Sequence, residues 1–176
     1  MELMHRNLIE GSEVQALADA LKINSTLTTL DLQNNSIGDS GVQTLSIAES
    51  GAQALAEALK TNATLTTLYL QNNLIGSNGS QALFQALKMN SSLTTLDLWG
   101  NSIGDNGAQA LSEILKMNST LTTLFLQNKL VGDNGVQALS EGLQINSTLT
   151  TLDLWCNSVT DKGAMVLCEV SHVDTN

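Results

Sequence analysis

The chain has 176 residues, a length that suits one domain, with 42% hydrophobic residues, 3% aromatic residues and no proline. Seven basic residues against seventeen acidic ones leave a formal charge of −10, which excludes nucleic acid as a partner because phosphate neutralisation needs clustered Lys and Arg. No apolar run is long enough to cross a bilayer, and the apolar fraction is too high for a disordered polypeptide.

In chain order, residues Met1 to Asn7 lack the apolar core of a secretory signal, so a cytoplasmic address is the default expectation. Asn7-Leu8-Ile9 through Leu17 and Leu21 reads as a partial unit, 1–26, that has lost most of its strand. The phrase Leu-Thr-Thr-Leu then starts at Leu27, Leu65, Leu93, Leu121 and Leu149, and the last three intervals are 28 residues each. A repeat at this period is one supersecondary unit used again and again. The first interval is 38 residues, so unit 27–64 carries a ten-residue insert. Units 65–92, 93–120 and 121–148 are regular, and 149–176 is truncated, with the chain ending inside a helix near Val170. Five strands and about six helices are expected in a single domain.

Each unit holds two periods. Thr95-Leu96-Asp97-Leu98-Trp99 alternates, which predicts a strand with Leu96 and Leu98 on one face and Thr95, Asp97 and Trp99 on the other. Asn106 to Lys116 carries Leu111, Ile114 and Leu115 at helical spacing. Asp105 suits the helix N-cap, and Asn118 suits a left-handed residue after the helix. A 28-residue unit cannot fold alone: its inward apolar groups yield about 10–20 kcal/mol, while ordering its backbone costs about 28–56 kcal/mol. Because every strand is followed by a helix, adjacent strands run parallel. Helices are wider than strands, so the stack bends with the strands inside. In the insert, Gly41-Val42-Gln43-Thr44-Leu45 recurs ten residues later as Gly51-Ala52-Gln53-Ala54-Leu55. The expectation is a bulge or break near Gly51, against the alternative of one long helix over 40–59.

The unit L-x-x-L-x-L-x-x-N-x-[ILV]-x-x-x-G-x-x-x-L-x-x-x-L resembles the leucine-rich repeat family, in its ribonuclease-inhibitor-like subtype, over nearly the whole chain. The resemblance implies a right-handed α/β horseshoe, with parallel strands on the concave face and helices on the convex face. It also implies that Asn35, Asn73, Asn101 and Asn157 form a ladder satisfying the loop backbone. Lys129 departs from this pattern, and a local defect is expected there with the ammonium turned to solvent.

Strand alternation places Asp31, Gln33, Tyr69, Gln71, Asp97, Trp99, Phe125, Gln127, Asp153 and Trp155 on the concave face. Four of the five aromatic residues fall in this set, which decides against chance scatter. Asp97 with Trp99 recurs as Asp153 with Trp155, and Tyr69 with Gln71 as Phe125 with Gln127. Aromatic anchors among acidic groups have the composition of a protein-recognition face. The bland alternative is that the rings pack on one another across strands. On the outer face Gln15, Gln43, Gln53, Gln81, Gln109 and Gln137 recur beside Glu57, Glu113, Glu141, Lys60, Lys88 and Lys116 as a solvated surface, and Phe84 reads as a lone exposed aromatic.

Catalytic chemistry finds no foothold in the sequence. His5 and His172 lie at opposite ends, so no central Ser–His pair is expected. Two cysteines, Cys156 and Cys168, and two remote histidines do not make a zinc site; free thiols are expected, with a local bridge the lesser alternative. No phosphate loop occurs, and the column Asp31, Asp97, Asp153 does not suggest acid–base work, a metal cluster there being the lesser alternative. No cofactor is expected. The sequons at Asn24, Asn62, Asn90, Asn118 and Asn146 recur because the turn recurs.

The leading reading is a non-catalytic interaction module that binds a protein or peptide on its acidic and aromatic concave face, a basic partner being favoured by the acidic field. The alternatives are a fragment of a larger sensor, such as the repeat region of a NOD-like receptor, and a self-assembling solenoid that stacks through uncapped ends, the strand at 150–155 being one unpaired edge. Ribonuclease inhibition and Ran GTPase activation, which the subtype also suggests, are less favoured because no catalytic group or cysteine-rich long arc matches.

Overall fold

The computed structural model describes residues 9, 11–39, 50–127, 130–168, 170 and 174–175. Among them, six helices alternate with six strands. The order is α1 (Gly11–Ile23), β1 (Thr29–Asp31), α2 (Gly51–Leu59), β2 (Thr67–Tyr69), α3 (Ser77–Leu87), β3 (Thr95–Asp97), α4 (Gly104–Leu115), β4 (Thr123–Phe125), α5 (Asp133–Leu143), β5 (Thr151–Asp153), α6 (Asp161–Leu167) and β6 (Asp174–Thr175). The strands form one parallel sheet in sequence order, β1 to β6. Such an arrangement is an open α/β solenoid, with each unit covering the apolar face of its neighbour.

The leucine pairs of the repeat build the core. Leu30 and Leu32, Leu68 and Leu70, Leu96 and Leu98, Leu124 and Leu126, and Leu152 and Leu154 are all buried against helix residues such as Leu55, Leu83, Leu111 and Leu139. Three polar ladders fasten the stack along its length. The first threonine of each Leu-Thr-Thr-Leu donates its hydroxyl to the carbonyl of the equivalent threonine one unit earlier: Thr66 to Thr28 at 3.0 Å, Thr94 to Thr66 at 3.1 Å, Thr122 to Thr94 at 3.1 Å and Thr150 to Thr122 at 3.2 Å.

The loop asparagines form the second ladder. Asn73 donates to Leu32 O and Leu70 O and accepts from Ile37 N; Asn101 repeats this with Leu70 O, Leu98 O and Ile75 N, and Asn157 with Leu126 O, Leu154 O and Val131 N. Asn35 accepts from Ile9 N at 3.2 Å. Lys129 lies outside the described residues. The loop it would serve, around Ile103, is nonetheless unlike its equivalents. Ile103 is helical and Gly104 has φ +63, whereas Gly76 and Gly132 at the same position have φ −93 and −105. A lysine ammonium has no acceptor to offer a backbone N–H.

Asparagines at the helix ends form the third ladder. Asn62, Asn90, Asn118 and Asn146 are buried; each accepts two following backbone N–H groups and donates to the carbonyl of the preceding helix, as Asn118 does to Leu87 O at 2.7 Å. Asn118 is therefore not the left-handed residue the sequence suggested. Positive φ falls instead at Asn34, Asn72, Gly100 and Cys156, one turn later in the unit.

Four further expectations are corrected. Asp105 does not cap its own helix: it sits in the first turn of α4 and accepts from Gly132 N, at the start of α5, at 2.7 Å. Asp39 does the same for Gly76, Asn78 and Gly79 of α3, and Asp133 for Thr160 before α6. At α3 and α5 the cap acts between units, because stacked loops bring one carboxylate over the next helix start, whereas Thr160 caps α6 from its own unit. Phe84 is fully buried, since the matching positions of the other helices are small (Ala56, Ser112, Ser140) and leave room between helices. The last unit does not end in its helix: α6 stops at Leu167 and β6 follows. Strand β5 is consequently no free edge, because Thr151 and Leu152 pair with Asp174 and Thr175.

The expected break falls at Ser50. Ser50 is extended, its hydroxyl accepts from Gln53 N, and α2 starts at Gly51, so no helix runs unbroken over 40–59. Residues 40–49 themselves lie outside the described residues.

Candidate functional site: the concave face

Register places one row of side chains straight across the sheet. Asp31 pairs with Tyr69, Tyr69 with Asp97, Asp97 with Phe125 and Phe125 with Asp153. Acid and aromatic therefore alternate on five consecutive strands at the about 4.8 Å spacing of a sheet. Two residues further along each strand lie Gln33, Gln71, Trp99, Gln127 and Trp155. The rings point away from the leucine core: Trp99 is 45% exposed and Trp155 67%. Tyr69 and Phe125 are half-buried. All ten residues named from the sequence share this face.

Two of the three carboxylates are recessed, and the third, Asp153, is half-buried. Asp31 keeps 7% of its surface and Asp97 9%. Each acid accepts the backbone N–H two residues ahead, Gln33 N to Asp31 and Trp99 N to Asp97 both at 3.0 Å, and Trp155 N to Asp153 at 2.9 Å. Glutamine amides supply the second bond. Gln33 donates within its own strand to Asp31 at 3.0 Å, while Gln71 reaches the next strand to Asp97 at 2.6 Å and Gln127 reaches Asp153 at 2.5 Å. The two-unit period thus has a structural side: a glutamine on one strand serves an aspartate on the next. The sequence places Gln71 and Gln127 on this face but carries no signal of this pairing.

Donating the amide N–H₂ leaves the amide oxygen behind. Gln71 Oε1 and Gln127 Oε1 are enclosed and have no donor. Burial raises the Asp97 carboxyl to a pKa of about 6, against the N–H groups of Trp99 and Gln71, with the charge of Asp153 adding to the rise. No cation offsets it among the described residues. Described lysines sit in or beside helices, and three pair there: Lys22 with Asp19, Lys60 with Glu57 and Lys116 with Glu113. Those pairs lie at the surface, Lys60–Glu57 partly buried, and contribute little.

Among the described residues no group of three His, Cys, Asp or Glu side chains could hold a metal ion, and no helix is long and apolar enough to cross a membrane. His5 and His172 lie outside the described residues. Cys156 and Cys168 are exposed free thiols. One surface feature went unread in the sequence: Met89, Met117 and Ile145 occupy the same position of three consecutive units and are all exposed.

The model of the family described as "Leucine Rich repeat" matches residues 24–46, 61–84, 90–112 and 146–168, just over half of the chain. The chain belongs to the leucine-rich repeat family. The unit passed over is the one containing Lys129. No curated protein matches significantly. Among solved structures, actin-binding site 2 of leiomodin-1 is similar with a TM-score of 0.64 and 26% identity, over 81% of this chain and 80% of that one. The C-terminal domain of a Caenorhabditis elegans tropomodulin has a TM-score of 0.64 at 15% identity, over 83% and 82%. An internalin of Listeria monocytogenes has a TM-score of 0.56 at 24% identity, over 92% of this chain but 36% of its own. The last two likenesses show the fold alone.

Proposed function

We propose that this leucine-rich repeat chain is a non-catalytic module that binds a protein or peptide on its concave face. The observation that carries the reading is the row Asp31–Tyr69–Asp97–Phe125–Asp153, in register and flanked by two exposed tryptophans. Exposed aromatics on a rigid surface are the usual anchors of an interface. The leiomodin-1 domain, named as an actin-binding site, supports a protein as the class of partner. The 28-residue period supports the ribonuclease-inhibitor-like subtype, and two exposed unpaired thiols suit a reducing, cytoplasmic setting. Self-assembly through the β5 edge is not favoured, since β6 covers it.

A pull-down from the source cell, run with wild type and with Trp99→Ala/Trp155→Ala, tests the reading. The double variant keeps its fold, because neither ring is in the core, and loses the partner. Capture of the same partner by the double variant at wild-type level refutes the site.

A further inference from the structure

The concave row is specific about spacing as well as charge. Its three carboxylates sit on β1, β3 and β5, so neighbouring acids are two strand spacings apart, about 9.5 Å, and the outer pair about 19 Å. Between them stand Tyr69 and Phe125, and beside the second and third stand Trp99 and Trp155. Asp31 and Asp97 are recessed, Asp153 is half-buried, and no described lysine pairs with any of the three. Two enclosed acceptors, Gln71 Oε1 and Gln127 Oε1, add to the shortage of donors. Acceptors of negative charge beside aromatic faces suit a guanidinium or ammonium, which stacks on the ring and donates to the carboxylate.

The spacing selects the backbone that delivers those cations. A polyproline II segment advances about 9.3 Å every third residue and returns each third side chain to one face, matching about 19 Å after two steps. A β-strand offers same-face side chains at about 6.6 or 13 Å. An α-helix offers residues seven apart at about 10.5 Å, overshoots to about 21 Å after two steps, and drifts about 20° per heptad. A helix is also about 10–12 Å wide, which keeps its backbone off the buried Asp31 and Asp97.

We propose that the row Asp31–Tyr69–Asp97–Phe125–Asp153, edged by Trp99 and Trp155, docks an extended protein segment that carries Arg or Lys at every third residue. The inference rests on the concave-face reading above and names its partner chemistry. The cations enter between the rings and bond the carboxylates, and the intervening residues cover Tyr69 and Phe125.

Fluorescence anisotropy on the full chain tests this with three labelled peptides of equal charge. One has arginine at every third position with proline between, one has arginine at every second position, and one is helical with arginine seven apart. The every-third peptide binds at least about tenfold tighter than the other two. Asp97→Asn/Asp153→Asn weakens it by at least about tenfold, as does Asp153→Asn alone by a smaller factor, while circular dichroism shows the fold unchanged. Equal affinities for all three peptides, preference for the helical one, or binding insensitive to the Asp variants overturns the proposal. Its failure is distinguishable from that of the parent reading. If Trp99→Ala/Trp155→Ala abolishes capture of the cellular partner and the Asp variants do not, the concave face stands and the cationic register falls. If neither variant affects capture, both fall.

Discussion

Asp97 is kept ionised at a cost, and Asp97→Asn measures it. The carboxyl titrates at about 6 in the folded chain against an ordinary value of 3.8. A folded pKa above the unfolded one means the native state holds a proton that the unfolded state has released. Stability is therefore fully present below about pH 4 and declines as pH rises to about 6. At about 1.4 kcal/mol per pH unit, ionised Asp97 lowers stability by about 3 kcal/mol at neutral pH. Asparagine has nearly the same shape and carries no charge. Its oxygen still accepts from Trp99 N. Its N–H₂ donates to Gln71 Oε1 once that amide turns over, which satisfies an acceptor now enclosed without a donor. Against this stands the loss of a charge-assisted bond from Gln71, about 1 kcal/mol beyond a neutral one. The variant is expected to be more stable by about 1–3 kcal/mol at about pH 8 and by close to nothing at about pH 4, where the wild-type acid is protonated too. Urea titrations of both proteins at the two pH values read the difference as a shift in midpoint. A gap of the same size at both pH values, or a variant less stable at the higher one, refutes the reasoning. If the gap appears while the variant loses its partner, stability has been given up for recognition.

Further predictions follow from the ladders and the helix contacts. Ser77 occupies the position of Asp105 and Asp133 but carries no carboxylate, and α4 alone of α3 to α6 begins without an inter-unit acid; Ser77→Asp is expected to raise stability by about 1 kcal/mol, seen as a higher melting temperature. Asn118→Ala removes a buried amide with bonds to Leu87 O, Thr120 N and Leu121 N and should destabilise by about 2–4 kcal/mol in chemical denaturation. Gly142→Ala sets a methyl 2.6 Å from Ser112 O on α4; despite the better helix propensity it should cost about 1–3 kcal/mol, and an unchanged denaturation midpoint would contradict the close α4–α5 approach. Cys156 has φ +58, so Cys156→Asn should be neutral or stabilising by up to about 1 kcal/mol, whereas Cys156→Val should lose about 1–2 kcal/mol by the same assay.

Much of this protein was legible before any coordinate. Alternation and a fixed 28-residue period determine the parallel strands, the buried leucine pairs and the outward set from Asp31 to Trp155, because a side-chain period of two leaves no choice of face once the leucines are buried. The loop asparagine ladder followed from the family resemblance. What tertiary structure decided are the relations between units. Asp105 looks like a cap for its own helix in a linear reading, yet stacking sets it over the next one. Phe84 looks exposed by analogy with its Ala and Ser equivalents, yet their smallness is what makes room for it. The helix-end asparagines read as turn residues or glycan acceptors, and only the proximity of a preceding helix turns them into buried rungs. The depth of the aspartates is of the same kind. Sequence places Asp97 on the concave face, but its burial, its bond from Gln71 and its raised pKa arise from side chains one strand away. Local pattern fixes which way a residue points; the burial, pairing and charge state it meets there depend on neighbours 26 to 40 residues distant in the chain.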